Sequence, residues 1–326
     1  MHPETQLQAD AVWSPVSRRL FLAQSAAALA LCHGCSNVGG SQPAPFVVDT
    51  HTHFYDPTRA QGVPWPPTDD PILSRPVYPP EFKRLAEPHG VAGTVIVEAS
   101  PWLEDNQWIL DLAAKEPAIF GFVGQIKPGR AEFAAELKRF SVNPLLRGLR
   151  VGAWDRPATE SPELLRDLKL LAERDLSLDV LIGTERLADT ARLAAAVPSL
   201  RIIIDHCANV RVNGAAPPAA WLDGLTICAR QPNIFMKVSG LVEGTGRTDG
   251  SAPSSAALYR PTLDAIWERF GEERVLFGSN WPVSARFAPY ATVIEIVKEY
   301  FDLKGPAATR KYFRENAARV YKFVRR

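Results

Sequence analysis

The stretch that decides the fold reads VVDTHTHFYD, at residues 47–56. Its β-branched start is typical of a buried strand. Alternate side chains of a strand point to the same face, so Asp49, His51 and His53 would share one face. A carboxylate and two imidazoles pack poorly against apolar neighbours. We therefore expect this face to open onto a place where polar side chains are used for chemistry.

Outward from this stretch, the chain alternates β-branched runs with amphipathic segments. One such segment has Ser161 as a helix N-cap and Pro162 at the first helical position. The runs that predict strands are FVVDTHTH, GTVIVEA, IFGFVGQI, LRGLRV, LSLDVLI, LRIIIDH, NIFMKVS and RVLFGSN. Eight strands alternating with helices predict an α/β fold, a single-domain (β/α)8 TIM barrel at residues 45–326. The alternative, an open doubly wound sheet, lacks the glycine-rich phosphate loop expected after its first strand.

Two long connections, at residues 55–80 and 240–255, contain few strand-forming residues. They follow the first and seventh predicted strands, so they lie at the C-terminal rim of the barrel. Active-site loops occupy that rim in barrels of this kind.

The composition gives no reason to expect a nucleic-acid or membrane-surface partner. The 326 residues are 46% hydrophobic and 22% charged, with a formal net charge of +1. Proteins that bind phosphate backbones or anionic lipids carry a marked basic excess, which is absent here. We expect a small-molecule substrate instead.

Residues 1–44 predict an export signal and a linker. The segment SRRLFLAQSAAALAL resembles a twin-arginine signal, with Arg18 and Arg19 before Phe21 and Leu22. Its apolar run is shorter than the roughly 20 residues of a membrane-spanning helix. The resemblance implies a periplasmic or envelope location. The alternative is an ordinary basic N-terminus on an amphipathic helix.

The four cysteines do not predict a disulfide framework. Cys32 and Cys35 have a C-x-x-C spacing, which suits a metal or redox site, but they stand at the end of the predicted signal. Cys35, after Gly34, is a candidate lipid-attachment site, the one membrane contact we expect. Cys207 and Cys228 lie in or beside apolar runs and are predicted to be buried thiols.

Three histidines end predicted strands: His51 and His53 on the first and His206 on the sixth. The C-terminal ends of barrel strands converge on one mouth, so these imidazoles can meet. Imidazoles held together ligate a divalent metal such as zinc, or carry protons. His89 precedes the second strand, at the opposite rim, and is predicted to be structural.

The segments VVDTHTHFYDP, GVPWP, IDHCANV, FMKVSG and FGSNWPV stand in this order along the chain. Together they resemble the amidohydrolase-related TIM-barrel hydrolases, and more closely the branch of sugar-lactone and 2-pyrone-4,6-dicarboxylate lactonases. The resemblance implies opening of a lactone, a cyclic C–O ester, by water attack assisted by a metal or by histidines. Some of the resembling lactonases are thought to work without metal, and the residues do not choose between these versions.

The resemblance also implies roles for individual residues. It makes His51, His53 and His206 the metal-binding histidines, with His206 also catalytic, and Trp65 a wall of the substrate pocket. It makes Arg150 the group that holds a substrate carboxylate or hydroxyl, with a rim salt bridge as the alternative. Trp281 is a further substrate contact, with packing against the rim as the alternative. Lys237 and Ser239 fit the pattern without a distinct role.

One position departs from the family pattern. Asn280 stands where the family has an aspartate that serves as general base or metal ligand. A neutral amide does not accept a proton from water at neutral pH. We expect Glu98, at the end of strand two, to supply the missing carboxylate as base or ligand, while Asn280 positions the water. The alternative is that Glu98 pairs with Arg150.

Two other carboxylates stand near the histidines in the sequence. Asp49 lies about 7 Å down the same strand face, at ~3.3 Å per residue, and is predicted to orient an imidazole. Asp205 precedes His206, and by strand alternation it is predicted to face outward.

Two other functions stay open at this stage. The same barrel could cleave a C–N bond or decarboxylate an aromatic acid, since one fold hosts many reactions. Asn280 also leaves open a catalytically silent barrel that only binds a small molecule.

Overall fold

The computed structural model describes residues 46–152 and 157–323. The predicted export signal, with Cys32 and Cys35, lies outside these residues. Within them, no helix combines the length and the apolar character that crossing a membrane requires.

Eight parallel strands form one sheet in which neighbours follow chain order. Each strand is rich in β-branched or aromatic residues and is buried along most of its length, as expected for strands covered on both faces. The strands are β1 Val47–Thr52, β2 Val91–Val97, β3 Ile119–Gly124, β4 Leu146–Val151, β5 Ser177–Val180, β6 Arg201–Ile204, β7 Ile234–Val238 and β8 Val275–Phe277.

Helices connect successive strands and cover the outside of the sheet. They are α1 Pro79–Ala86, α2 Asp105–Lys115, α3 Phe133–Ser141, α4 Pro162–Glu173, α5 Leu187–Ala196, α6 Ala219–Ala229, α7 Ala256–Phe270, α8 Tyr290–Asp302, α9 Pro306–Arg310 and α10 Asn316–Tyr321. Ser161 caps α4 as predicted, since its side chain accepts a hydrogen bond from the Leu164 amide. A π-helical turn, Lys311–Glu315, joins α9 to α10.

The sheet closes between β8 and β1. The amide of Asn280 donates to the His51 carbonyl at 2.9 Å, and the amide of His53 donates to the Trp281 carbonyl at 2.9 Å. These bonds continue the ladder past the end of β8. The (β/α)8 barrel predicted from the sequence is therefore confirmed.

The N-terminal end of the barrel interior is a closed apolar floor. Val48, Ile203 and Leu276 are fully buried there, and the α10 residues Val320 and Tyr321 pack against the same cluster. The Tyr321 hydroxyl reaches inward and donates to Asp179 on β5 at 2.7 Å. With the floor closed, a small molecule can enter only from the opposite end, the mouth.

Candidate active site

The three predicted histidines meet at the mouth. The ring centroids of His51 and His206 are 4.4 Å apart, and those of His51 and His53 are 5.0 Å apart. Burial is the main reason that the pKa values fall, to about 3 for His53, to about 4 for His206 and well below the usual range for His51. All three rings are therefore neutral near pH 7.

A tight turn after β6 positions His206. Residues 206–209 have φ values of 52–54°, in the left-handed region that few L-residues occupy. The Ser239 hydroxyl accepts from the His206 amide at 3.2 Å and lies 2.8 Å from its Nδ1. Gly240, at φ 65°, has no room for a side chain, since a Cβ there would lie 2.8 Å from the His206 Cβ.

The same turn brings Asp205 into the site, so the prediction that this residue faces outward is wrong. Asp205 is fully buried, and its Oδ1 lies 3.5 Å from His51 Nδ1 and 3.0 Å from Lys237 Nζ. Strand alternation fails here because β6 ends at Ile204 and the backbone leaves the extended conformation directly afterwards.

Below the histidines lies a buried charge cluster. Lys237 on β7 contacts Asp179 Oδ2 at 2.6 Å as well as Asp205, and all three side chains are inaccessible to solvent. Burial is the largest single influence on Asp205 and disfavours its charge, but Lys237, His51 and His206 together outweigh burial, so the pKa of Asp205 lies well below its ordinary value. The pKa of Asp179 rises to about 6, mainly through burial. With both carboxylates ionised, the cluster carries one excess negative charge.

The donor atoms in this region fit a divalent ion. One ligand atom each from His51, Asp205 and His206 lies within 4.8 Å of the others. His51 Nε2 is buried without a hydrogen-bond partner. Two neutral imidazoles and a carboxylate are a common protein ligand set for zinc, and the excess negative charge favours a cation.

His53, by contrast, has both ring nitrogens occupied. Nδ1 lies 2.9 Å from the Val97 carbonyl oxygen and Nε2 lies 3.2 Å from Asn280 Oδ1, and the neutral ring donates to one of these two oxygens. The Asn280 amide in turn donates from Nδ2 to Glu243 Oε1 at 2.9 Å. The predicted metal role of His53 stays a prediction, and in this arrangement the ring belongs to a second network.

Glu243 was missed in the sequence. It lies in a short turn, Glu243–Thr245, within the long loop after β7. Its Oε2 atom is buried and has no hydrogen-bond partner, and burial raises the pKa of the carboxyl to about 7. The sequence contained one indication of its role. Glu243 is one of two carboxylates in a loop that was already expected to lie at the mouth.

Glu98 and Arg150 pair with each other at the mouth. Arg150 Nε donates to Glu98 Oε1 at 2.8 Å, and Arg150 Nη2 donates to the Glu98 carbonyl at 3.0 Å. This is the salt bridge that the sequence left open as the alternative for both residues. The pKa of Glu98 is raised because burial outweighs the attraction of Arg150. Its predicted role as base or ligand stays a prediction.

The site opens into a cavity of about 730 Å³. Trp65 forms part of its wall, with its ring centroid 5.9 Å from that of His53. Arg211, exposed at the rim, brings a second guanidinium. The polar lining residues include His53, Glu98, Gln125, Arg150, His206, Asn209, Arg211, Glu243 and Asn280.

Two predicted site residues lie elsewhere. Trp281 is 2% exposed, packs against Phe54 and Phe82, and is not among the cavity-lining residues, so it supports the rim. Asp49 does not orient an imidazole. Its carboxylate accepts from the backbone amides of His51 and Ser279 and from the Tyr290 hydroxyl. It therefore holds β1 against the chain that follows β8.

The other predicted structural residues behave as expected. The His89 Nδ1 lies 2.9 Å from Glu295 Oε1, away from the cavity. Cys207 and Cys228 are buried free thiols.

Comparisons with known proteins agree with this geometry. The L-fucono-1,5-lactonase of Burkholderia ambifaria is 28% identical over 287 residues, which cover 86% of this chain and 97% of the relative. The L-fucono-1,5-lactonase of Burkholderia multivorans is 27% identical over 282 residues, covering 84% and 95%. A solved amidohydrolase from Burkholderia multivorans with bound zinc superposes with a TM-score of 0.76 at 26% identity, covering 86% of this chain and all of that one.

A family model described as amidohydrolase matches residues 48–323, nearly the whole described barrel. The resemblance read from the sequence motifs is thereby confirmed, together with the hydrolase class it implied. The chain belongs to the amidohydrolase family.

Proposed function

We propose that this protein is a hydrolase that opens the lactone ring of a sugar-derived acid in the mouth cavity. One observation carries the proposal: His53 and His206 line a polar cavity, with His51 and the Asp205 carboxylate packed next to them, in a chain that aligns with two named sugar lactonases along nearly their whole length. The cavity of about 730 Å³ is ample for a monosaccharide lactone.

The lining suits a polyhydroxylated substrate. Charged and amide side chains provide donors and acceptors for ring hydroxyls, while Trp65 offers an apolar face to the carbon skeleton. We assign Arg150 to orienting the substrate, because its guanidinium is fixed by Glu98 and faces the cavity. A fixed donor fork positions the lactone at a lower entropic cost than a mobile side chain would.

A divalent ion, with zinc as the specific proposal, would be held by His51, Asp205 and His206. Bound there, it would polarise the ester carbonyl and lower the pKa of a water molecule. Without it, the neutral His206 ring, which lines the cavity, is a donor available to the carbonyl oxygen. Elemental analysis of the purified protein distinguishes the two cases.

The test of function is a substrate panel read by proton release. We expect the wild type to hydrolyse sugar 1,4- or 1,5-lactones in preference to a matched amide or a hydroxylated benzoic acid. His51→Ala should lower kcat/KM at least 100-fold, whereas His89→Ala, at the opposite rim, should retain activity. Consumption of the amide or the aromatic acid without any lactone would overturn the proposal, and binding of lactones without turnover would favour a silent binding barrel.

We further propose that the protein acts outside the cytoplasm. The support is the paired Arg18 and Arg19 before a short apolar run. A reporter fused after residue 44 should reach the periplasm, and changing both arginines to lysine should block its export. Labelling with a radioactive fatty acid, lost in Cys35→Ser, would establish a lipid anchor.

A further inference from the structure

The amide at position 280 raises the question of which group takes the proton from the attacking water. Three carboxylates line or approach the mouth. Asp205 lies 3.0 Å from Lys237 Nζ, and the Glu98 carboxylate accepts a hydrogen bond from Arg150 Nε, while Arg150 Nη2 donates to the Glu98 main-chain carbonyl. The cation makes each carboxylate a weaker base than it would be without that partner, because the pairing stabilises the ionised form.

Glu243 differs from both. Among the described residues, no cation is within ion-pair distance of its carboxylate, and its one side-chain partner is the neutral Asn280 amide. Its Oε2 is buried and has no hydrogen-bond partner, while the residue lines the same cavity as His53 and His206. An unpaired carboxylate oxygen enclosed beside a substrate cavity is free to accept a proton.

Backbone hydrogen bonds and close packing hold the loop that carries Glu243 in place beside the cavity. The Gly244 amide donates to the Gly240 carbonyl at 3.0 Å, and the Val212 amide donates to the Gly244 carbonyl at 2.9 Å. Gly244 has no room for a side chain, since a Cβ would lie 2.8 Å from the Val210 carbonyl oxygen. The turn therefore presses against the segment that follows His206.

The residue types at positions 280 and 243 also depend on each other. Asn280 donates to Glu243 at 2.9 Å, whereas an aspartate at 280 would set two carboxylates side by side. Like charges so close cannot both ionise. The amide at 280 thus permits a carboxylate at 243, and that carboxylate restores the basic group that the amide lacks.

We propose that Glu243 is the catalytic base of the lactone-opening reaction, in place of the family's strand-eight aspartate. This inference rests on the proposed function. Glu243 takes a proton from water as the water oxygen bonds to the lactone carbonyl carbon. The ring C–O bond then breaks, and the ring oxygen leaves as a hydroxyl with the proton from Glu243. The product is the open hydroxy acid, which releases its own proton to solvent.

The experiment measures kcat and KM of the full chain on whichever lactone the wild type turns over best. Glu243→Gln keeps the size of the side chain and an acceptor for Asn280. We expect kcat to fall by about 100-fold or more, the usual range for loss of a general base, with KM within threefold. Asp249→Asn removes the other carboxylate of the same loop, which is exposed, and should leave both constants unchanged.

A double variant separates a catalytic role from a structural one. In Glu243→Gln/Asn280→Asp the carboxylate returns to the family position, and kcat should recover at least tenfold over Glu243→Gln. Asp tolerates the φ of 60° at position 280 about as well as Asn does. This recovery also guards against a Glu243→Gln variant that folds poorly, which a melting curve would reveal.

The outcomes separate this inference from the proposed function. If the wild type opens no lactone, the proposed function fails. If the wild type opens lactones and Glu243→Gln does so at the same kcat, only the role of Glu243 is overturned. If Glu243→Gln keeps the wild-type kcat while a folded Glu98→Gln is inactive, the base is Glu98 instead.

Discussion

The two ends of the barrel interior use the same strands for opposite purposes. At the floor, Val48, Ile203 and Leu276 are sealed by α10, and their packing contributes to stability. At the mouth, His51 Nε2 and Glu243 Oε2 are buried without partners. Unpaired buried polar atoms are costly unless a ligand meets them, so the mouth gives up stability for binding and chemistry.

Between the two ends lies the Asp179–Lys237–Asp205 cluster, which we expect to give the largest stability effect. Lys237→Met removes the cation that contacts the two buried carboxylates Asp179 and Asp205 but keeps most of the side-chain volume. Breaking a buried pair from one side typically costs about 3–5 kcal/mol of unfolding free energy. Urea unfolding at pH 7 measures it. The control is Lys322→Met, an exposed partner of Asp175, and a result equal to that control would contradict the prediction.

A substitution in the apolar floor should lower the unfolding free energy without changing catalysis. Phe120 on β3 is 3% exposed and stacks between Phe46 and Phe323, with centroids 5.9 and 5.4 Å away. Phe120→Ala should lower the unfolding free energy by about 3 kcal/mol, at the low end of large-to-small core changes. The kcat of the folded fraction should stay unchanged. A drop in kcat at full folding would show that floor and mouth are coupled.

The pH dependence of kcat/KM tests the role of Glu243 at the mouth. A base must be ionised to act, so kcat/KM should rise about tenfold per unit as pH increases towards the Glu243 pKa of about 7 and level off above it. Glu243→Gln should remove this rise from the residual activity. An unaltered profile in that variant would assign the titration to another group.

Four other groups near Glu243 titrate far from pH 7, whereas burial raises the pKa of Glu98 in the same cavity. Burial raises the pKa values of Cys207 and Tyr259 to about 12 and lowers that of His206 to about 4. The pKa of His53 is lowered to about 3, mainly by burial. The guanidiniums of Arg150 and Arg211 face the same cavity.

The smallest expected effect concerns substrate positioning. Arg150→Lys keeps the charge but loses the planar fork that binds Glu98 through two nitrogens. We expect KM to rise about tenfold, equal to one hydrogen bond to a charged group, with a smaller change in kcat. Steady-state kinetics on the preferred lactone measure it. An unchanged KM would mean that the Arg150–Glu98 pair stabilises the rim of the barrel and does not bind substrate.

The sequence predicted correctly those parts of the protein in which side-chain character repeats with the period of a strand or a helix. The alternation of strands and helices predicts the barrel, and strand ends at His51 and Arg150 predict which residues reach the mouth. Ser161 before Pro162 predicts the start of α4. In each case the signal lies within a few neighbouring residues.

Only the tertiary structure placed the groups that lie beyond a strand end. Asp205 enters the site because residues 206–209 turn through the left-handed region, which strand alternation cannot foresee. Glu243 meets Asn280 across 37 residues because a loop folds back onto the mouth. The sequence by itself determined the barrel and the convergence of its histidines, since both follow from local periodicity. Which carboxylates pair with a cation, and that Glu243 instead contacts the neutral Asn280 amide, depended on long-range packing.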